Sequence, residues 1–515
     1  MSAAPVHPLR IRALNAHSIH AGGDCFLYWM TSARRVHYNE GLRYSIQLAI
    51  EHKKPLVVLE ALRCGYRWAS DRLHAFVLEG MPDNAMEFAR RRILYFPYVE
   101  PSPGAAKGLL AALAQHACAL IGDDYPAFFL TRMLESASKK VEMPGAFFAL
   151  DSNGLLPMRA APKVFTVARA FRTFLFKEWP KYFDSKIPGD SLGSGLLPSP
   201  SKALLERIAS IQRKWPPIAI DRIGGDLNGI LKELPIDHSV PRVAGARGGS
   251  QAAQKLLGAF IQSKLGHYSE MRDDPDEDGQ SGLSPYLHFG HLGAAEVFDR
   301  AAEHMKWTPD RFGKEKKSEE DRFAFWGMGK AADAFIDQLV SWRELGLNMC
   351  SRADNYDRYE SLPDWAKNTL AKHAKDTRAH LYSREIFESA RTHDALWNAA
   401  QRQLLQEGRI HNYLRMLWGK KILEWSPSPQ DALNTMIDLN NKHALDGRDP
   451  NSYSGIFWVL GRYDRAWGPE RPIFGTVRYM SSESARRKLR LKGYLERFGA
   501  SKSNGPKSRS TQKEA

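Results

Sequence analysis

Short apolar runs alternate with amphipathic segments in the first third of the chain, and this alternation constrains the fold most strongly. Phe26–Met30 and Pro55–Leu59 each have the length of a buried strand, and a helical pattern from Asn39 to His52 separates them. A third run covers Ala117–Ile121. Strands that alternate with helices at this spacing predict a parallel, Rossmann-like α/β sheet within residues 1–180. Ligands of such sheets lie beyond the carboxyl ends of the strands.

The remaining sequence changes character twice. Residues 181–250 are rich in Pro, Gly and Ser and predict an interdomain linker with one helix at about 201–214. Residues 251–495 repeat apolar side chains at three- and four-residue spacing, which predicts an all-α C-terminal domain. Residues 496–515 are polar and basic and predict a disordered tail.

Charge restricts the partners of the chain. The 515 residues include 73 lysines and arginines against 58 aspartates and glutamates, a formal net charge of +15. This excess favours a polyanion, either nucleic acid or an acidic membrane surface. No apolar run approaches the roughly 18–20 residues of a membrane span, and the N-terminus lacks the apolar core of a secretory signal. We therefore expect a soluble, cytoplasmic monomer with an anionic partner, without a membrane or protein partner.

The cysteines favour the same compartment. Cys25, Cys64, Cys118 and Cys350 are far apart and form no CxxC pair. This spacing predicts reduced, buried thiols, and neither a disulfide framework nor a metal site.

Three tryptophans are concentrated near residues 397–425. Trp418 and Trp425 are seven residues apart, so a helix places both indoles on one face, and Trp397 lies upstream. In an arbitrary protein such a stripe more often packs a core.

Other parts of the sequence favour a functional role for these tryptophans. The segments that do so are Tyr268–Pro275 with Ser281–Gly290, Phe335–Leu345, Thr392–Asn398, Leu439–Asn451 and Gly455–Trp458. Together they resemble the DNA photolyases, and their class II branch in particular, densely over residues 268–492 and weakly over 1–250.

The resemblance implies FAD as cofactor. It also implies UV-damaged DNA as partner and the light-driven splitting of cyclobutane pyrimidine dimers by electron transfer from the photoexcited, reduced flavin. It leaves open an antenna chromophore of deazaflavin or folate type. The implied cofactor-binding residues are Tyr268, Ser281, Gly282, Leu283, Ser284, Gln338, Arg343, Asn412, Arg415, Met416, Asn440 and Asp446.

The resemblance also implies catalytic and DNA-binding residues. Asp337 corresponds to an acidic residue that hydrogen-bonds the dimer, and Asn440 to an amide at the flavin ring. The implied electron-transfer residues are Trp397, Trp418 and Trp425, in an order that the sequence leaves open. The implied DNA contacts are Trp342, Trp458, Arg465 and Arg478.

Four positions depart from the class II pattern. Asp337 stands where Glu is usual, Asn412 where Gly is usual, and Asn441 and His443 where Asp and Tyr are usual. His443 is a candidate proton donor, although a lone His is more often structural. The alternatives are a cryptochrome-like photoreceptor, a photolyase for the (6-4) photoproduct, and a basic helical nucleic-acid-binding protein without flavin.

Overall fold

The computed structural model describes residues 5–183, 186–189, 197–313 and 325–500. Most of the predicted tail and part of the predicted linker lie outside the described residues.

A mixed sheet forms the centre of the N-terminal part. Within the described ranges it has six strands in the order β1-β6-β5-β2-β3-β4. All neighbouring strands are parallel except β1, which pairs antiparallel with β6 at one edge. Every residue of β2 is buried, because helices cover both faces of the sheet. The strands are β1 Ile11–Ala13, β2 Cys25–Met30, β3 Leu56–Leu62, β4 Leu94–Val99, β5 Ala117–Asp123 and β6 Ala146–Leu150.

The sequence prediction of a parallel α/β unit is therefore confirmed, although it included only β2, β3 and β5. Pro97 in β4 explains one omission: proline cannot donate to a ladder, and β4 tolerates it because this strand lies at the edge. The helices of this part are α1 Glu40–Glu51, α2 Asp71–Leu78, α3 Met81–Arg90, α4 Leu109–Ala114, α5 Phe128–Lys140 and α6 Ala168–Tyr182.

The connecting segment contains more regular structure than its composition indicates. The expected helix is present as α7, Lys202–Lys214, with the Ser201 side chain accepting from the Leu204 N–H. Two short helices follow, α8 Ile220–Gly225 and α9 Leu227–Lys232. Their apolar side chains pack against α2 and α3, which explains why a Pro- and Gly-rich segment is ordered here.

The C-terminal part is helical, as predicted. Asp394 caps α18 by accepting from the Leu396 and Trp397 N–H groups. Between α14 and α15, residues Asp337–Trp342 form a π-helical turn, a feature frequent at functional sites. The helices are α10 Ser250–Ser263, α11 Tyr268–Met271, α12 Ser284–Phe289, α13 Ala294–His304, α14 Lys330–Ile336, α15 Arg343–Arg352, α16 Asp364–Lys372, α17 Arg384–Glu388, α18 Ala395–Glu407, α19 Asn412–Trp425, α20 Pro429–His443, α21 Pro450–Val459, α22 Ser482–Lys488 and α23 Lys492–Phe498.

Buried polar contacts join the two parts. Arg72 of α2 donates to the carbonyl oxygens of Leu404, Leu405 and His443. Glu344 of α15 accepts from the backbone N–H groups of Leu155 and Leu156. No helix among the described residues is both long and apolar enough to span a bilayer. All four cysteines are free and buried.

Candidate functional site

A cavity of about 130 Å³ lies in the centre of the helical part. One side is apolar, with Leu283, Leu287, Phe335 and Leu339, and the other is polar. Most of the cofactor residues predicted from the sequence line it, namely Tyr268, Ser281, Leu283, Ser284, Gln338, Arg343, Arg415 and Asp446. The cavity therefore collects side chains that are up to about 180 positions apart in the chain.

Two arginines supply positive charge to this cavity. Arg415 pairs with Asp446 at 3.3 Å. Arg343 pairs with Asp449 at 3.2 Å, and its Nε is buried without a hydrogen-bond partner among the described residues. An unpartnered buried donor on a cavity wall is costly unless a ligand satisfies it. The wall is thus suited to an anionic ligand.

Asp449 anchors the polar wall. It accepts from the Tyr125 hydroxyl at 3.1 Å and lies 3.5 Å from His288 Nδ1. Burial alone raises the pKa of the Asp449 carboxyl, but the Arg343 charge and the His288 hydrogen bond outweigh it and hold this pKa well below its usual range. The Asp449 carboxylate therefore stays ionised and keeps Arg343 in place.

Asn440 lies one residue behind the cavity surface. Its amide donates to the hydroxyl of Ser452 at 2.8 Å, and Ser452 lines the cavity. Asn441 holds the neighbouring backbone, since its side-chain oxygen accepts from the Arg448 N–H at 2.8 Å. The structure thus puts Asn440 beside the cavity wall without making it part of the lining.

The three tryptophans are buried and form a connected group, which we call the tryptophan chain: Trp397, Trp418 and Trp425. The Trp397 indole N–H donates to the Trp418 carbonyl at 2.9 Å, and the rings of Trp397 and Trp425 have centroids 6.0 Å apart. Trp397 therefore contacts both of the others. Trp418 is one turn from the cavity residue Arg415 on α19.

Asp337 takes part in an interdomain ion pair. Arg172 of α6 donates to both carboxylate oxygens, at 3.1 and 2.6 Å, and only 4% of the Asp337 side chain is exposed. The same guanidinium lies 4.8 Å from the Trp342 ring. On its other side Trp342 stacks on Trp458, with centroids 4.6 Å apart. These four side chains form a layered group that we call the Asp337 cluster.

Two further arginines follow Trp458, a member of this cluster, in the sequence. Arg465 and Arg478 are exposed, and both guanidinium groups lie over the Trp467 ring, at 4.7 and 5.0 Å. Asp464 accepts from the indole N–H groups of Trp458 and Trp467, at 3.4 and 3.0 Å. One loop therefore positions two arginines next to Trp458.

Several predicted residues lie outside the cavity lining. Asn412 is exposed at the start of α19, and Met416 packs against the helical core. Gly282, at φ +69°, provides the left-handed turn between two lining residues. His443 bonds to Glu388 at 2.8 Å, and this bond helps to lower the Glu388 pKa to about 2. The contacts of His443 are those of a structural histidine.

A larger cavity, of about 570 Å³, opens at the carboxyl ends of the strands. Trp29, Tyr66, Phe128 and Phe129 form aromatic walls, and basic side chains stand around them. His288 and Tyr125 line this cavity and also contact Asp449, so the polar wall separates the two cavities. The volume lies in the range of about 300–1,000 Å³ typical of ligand pockets.

The sequence of this chain is similar to those of known enzymes. No family model matches the sequence. The deoxyribodipyrimidine photo-lyase of Methanothermobacter thermautotrophicus is 30% identical over 496 residues, which cover 96% of this chain and 98% of that protein. The enzyme of the same name from Potorous tridactylus is 33% identical over 470 residues, or 90% of this chain and 80% of its own length.

The chain belongs to the photolyase/cryptochrome family.

A solved structure agrees with this family in fold. The class III photolyase of Agrobacterium tumefaciens superimposes with a TM-score of 0.62 and 14% identity, covering 92% of this chain and 86% of that one. The predicted architecture, a parallel-sheet domain followed by a helical domain, is therefore confirmed.

Sequence reasoning missed six residues of the cavity lining, namely Leu287, Phe335, Leu339, Asp449, Asn451 and Ser452. A further missed residue is Arg172, the partner of Asp337. It lies in α6, 165 positions from Asp337, and no motif surrounds it. The only local signal is its place on the amphipathic helix, one position after the buried Phe171, where a long cationic side chain can extend from the apolar face. That signal does not specify a partner.

Proposed function

We propose that this chain is a light-driven deoxyribodipyrimidine photo-lyase of the class II branch, which splits cyclobutane pyrimidine dimers in UV-damaged DNA. The observation that carries the proposal is the π-helical segment Asp337–Trp342 with the following Arg343. Gln338 and Arg343 of this segment line the central cavity, while Asp337 and Trp342 belong to the Asp337 cluster. One helix therefore joins a cofactor site to a substrate site.

FAD fits the chemistry of the central cavity. Ser281 and Ser284 offer hydroxyl donors, Arg415 and Arg343 offer positive charge for a pyrophosphate, and the apolar side suits a flat ring. The unpartnered Arg343 Nε is a further donor for it. At about 130 Å³ the cavity is smaller than the ~300 Å³ or more typical of ligand pockets, so it would hold only part of FAD. When bound, reduced FAD supplies the light absorption and the electron that opens the cyclobutane ring.

The Asp337 cluster is the proposed lesion site. A dimer must leave the base stack to be reached, and the half-buried rings of Trp342 and Trp458 offer two aromatic faces for it. Those rings now stack on each other, so a dimer must separate them. Each Asp337 oxygen accepts one bond from Arg172 and retains a lone pair for a base N–H. Arg172 thus holds the carboxylate in position.

The tryptophan chain is the proposed route for electrons towards the cofactor cavity. The contacts support the order Trp418, Trp397 and Trp425 from the cavity outward. All three are at most 3% exposed, so water and small oxidants are kept from the indoles. Arg465 and Arg478 are proposed to bind phosphates beside the extruded dimer.

The larger cavity is the proposed antenna site. Its aromatic walls suit a flat chromophore, and Arg63, Lys107 and Lys140 suit an anionic tail of the deazaflavin or folate type. The choice between these chromophores is made by adding each to the purified protein. The bound one adds its own absorption band.

A cryptochrome-like photoreceptor is the second candidate function. The observation that favours it is the Arg172–Asp337 pair, because a carboxylate engaged by a guanidinium is less free to bind a substrate.

One experiment separates the two functions. A thymine-dimer oligonucleotide is mixed with the reduced protein, and the recovery of ultraviolet absorbance is followed under blue light and in darkness. Photolyase activity gives recovery in light alone. A yellow, flavin-containing protein that gives no recovery would support the photoreceptor, and a colourless protein would contradict both.

A further inference from the structure

A lysine is buried between α19, the helix that carries Trp418, and α21, the helix that carries Trp458. Lys420 lies on α19 and is 1% exposed. Because two residues turn a helix by about 200°, Lys420 lies on the side of α19 opposite Trp418. Its ammonium donates to the backbone carbonyl of Val459 at 2.6 Å. The side chain of Lys420 therefore extends to α21.

The Val459 carbonyl is a favourable place for a cation. The helix α21 ends at Val459, and the last carbonyl groups of a helix lack a donor within the helix. The negative end of the helix dipole lies at the same place. Trp458 directly precedes Val459 and stacks on Trp342 in the Asp337 cluster, with centroids 4.6 Å apart. One hydrogen bond from Lys420 thus holds the helix end that presents Trp458.

The two helices approach this closely because residue 419 is glycine. A Cβ atom at Gly419 would lie 2.5 Å from Val459 Cγ2, a separation too short for two carbon atoms. The same Cβ would lie 3.1 Å from the Met436 sulfur of α20. Close packing on both sides leaves α21 little room to shift on α19. Gly419 and Lys420 together therefore set the position of Val459.

The charge of Lys420 depends on pH. Burial lowers the pKa of its ammonium to about 7, the Asp464 charge raises this pKa, and the Arg478 charge lowers it. Asp464 and Arg478 follow α21 in the chain. Among the described residues, no charged group of α18 or α20, which also pack on α19, affects this pKa. On α19 itself, Lys421 and Glu424 pair with each other at 2.6 Å. Lys420 is consequently charged below about pH 7 and increasingly neutral above it.

Asp464 connects the charge of Lys420 to the loop after α21. Its carboxylate accepts from the indole N–H groups of Trp458 and Trp467, at 3.4 and 3.0 Å. A charged Lys420 attracts this carboxylate, and the attraction is lost when the lysine is neutral. The charged form therefore favours the arrangement in which one carboxylate holds both indoles.

We infer that Lys420 is a positioning residue of the lesion site, which in its charged form holds the end of α21 and the loop after it in place for dimer-containing DNA. The inference rests on the proposed function, which makes the Asp337 cluster the site of the dimer. In this role Lys420 contacts no substrate atom and acts through the Val459 carbonyl and Asp464. DNA phosphates at the loop favour the charged form, so dimer DNA binds with uptake of a proton above pH 7.

The decisive variant is Lys420→Met, which keeps the length of the side chain and removes its charge. Fluorescence anisotropy in darkness measures the affinity of the flavin-loaded, full-length protein for labelled dimer DNA between pH 6 and pH 9. At pH 6 the variant should bind several-fold more weakly than the parent. At pH 9 the two affinities should converge, because the neutral lysine resembles methionine. A parent-to-variant ratio that stays constant with pH overturns the role of the charge.

Lys421→Met is the matched control. Lys421 is also buried on α19, but its ammonium pairs with Glu424 of the same helix. The affinity of this variant for dimer DNA should equal that of the parent at every pH. A loss equal to that of Lys420→Met would mean that any buried charge on α19 has the same effect, and would overturn the inference.

Salt dependence separates positioning from direct contact with phosphate. A lysine that binds phosphate releases counterions, so its removal lowers the slope of log affinity against log salt by about one. Lys420→Met should keep the slope of the parent and lose part of the preference for dimer DNA over undamaged DNA. A slope reduced by about one would make Lys420 a phosphate contact and overturn the positioning role.

A measurement without DNA or light separates the inference from the proposed function. NMR of the indole N–H groups in the parent should show the signals of Trp458 and Trp467 shifting as Lys420 titrates. Signals that do not shift contradict the inference, and this readout needs no folded variant. If the parent shows no preference for dimer DNA, the proposed function fails. If parent and Lys420→Met bind dimer DNA alike at every pH, only the positioning inference fails.

Discussion

At the scale of single residues, Asp337 shows how one substitution is accommodated by a distant side chain. The class II pattern has glutamate here, and aspartate has one methylene less. Arg172 reaches the shorter carboxylate with two hydrogen bonds and also covers the Trp342 ring. A guanidinium is suited to both tasks because it is planar and forms paired bonds with carboxylates. We expect this pair to define where a dimer binds.

Replacing Arg172 with methionine tests that expectation. Asp337 would lose the cation that holds it, so binding of dimer-containing DNA in darkness should weaken about tenfold, the equivalent of one charge-assisted hydrogen bond. Arg169→Met is the control, since Arg169 lies on the same helix and is exposed. Fluorescence anisotropy of labelled dimer DNA measures both. Equal losses in the two variants would indicate that general positive charge, and not the Asp337 pair, is responsible.

At the scale of elements, α19 has two roles. Its first turns place Arg415 at the central cavity, and its later turns carry Trp418 and Trp425. Seven residues of helix separate the two indoles by about 10 Å along the axis. Trp397 of α18 fills the gap between them through its contacts to both. The proposed electron route therefore depends on the packing of two helices.

The element-scale prediction concerns Trp418→Phe. Removing the indole nearest the cavity should slow photoreduction of the flavin by at least tenfold, whereas repair by chemically pre-reduced protein should persist. Flavin absorbance under blue light measures the first, and dimer repair measures the second. If pre-reduced protein also loses repair, Trp418 acts mainly in packing, since its N–H holds Gln401 at 2.9 Å.

At the scale of the whole molecule, a buried carboxyl links the two parts. Glu344 follows the cavity residue Arg343 and accepts from Leu155 and Leu156 beside the sheet, at 2.5 and 3.2 Å. Burial raises its pKa to about 7, although the two N–H groups lower it in part. Between about pH 4.5 and pH 7, Glu344 therefore keeps its proton in the folded protein, whereas it has lost that proton in the unfolded chain.

Glu344 makes the stability of the folded protein depend on pH. Because the folded-state pKa of Glu344 is raised, its contribution to stability falls as pH rises from about 4.5 to 7 and stays constant above that window. Glu344→Gln keeps an acceptor oxygen and cannot ionise. The unfolding free energy of this variant should therefore fall less than that of the parent between pH 5 and pH 8. The difference between the two falls should be about 3 kcal/mol or less.

Urea unfolding at several pH values measures this gap. Glu360→Gln, at an exposed glutamate, serves as control and should follow the parent. Parallel pH profiles for parent and Glu344→Gln would mean that Glu344 is ionised in the fold throughout.

Much of the fold could be predicted because it depends on local periodicity. The apolar runs of β2, β3 and β5 and the three- and four-residue spacing of α18 and α19 are properties of neighbouring residues. Asn39, where the predicted helical pattern begins, caps α1 in the structure, since its side chain accepts from the Leu42 N–H. Strand β4 was missed because Pro97 is atypical of strands, and only its edge position permits it.

The sequence by itself determined the family, many of the elements and eight of the residues that line the central cavity, because the motifs that carry these features are contiguous. Only the tertiary structure decided which side chains meet: Arg172 with Asp337, Tyr382 with Trp425 and Asp449 with Tyr125. These contacts join positions 43 to 324 residues apart. An ion pair or ring contact depends on distances of a few ångströms, and chain packing, not local spacing, sets those distances.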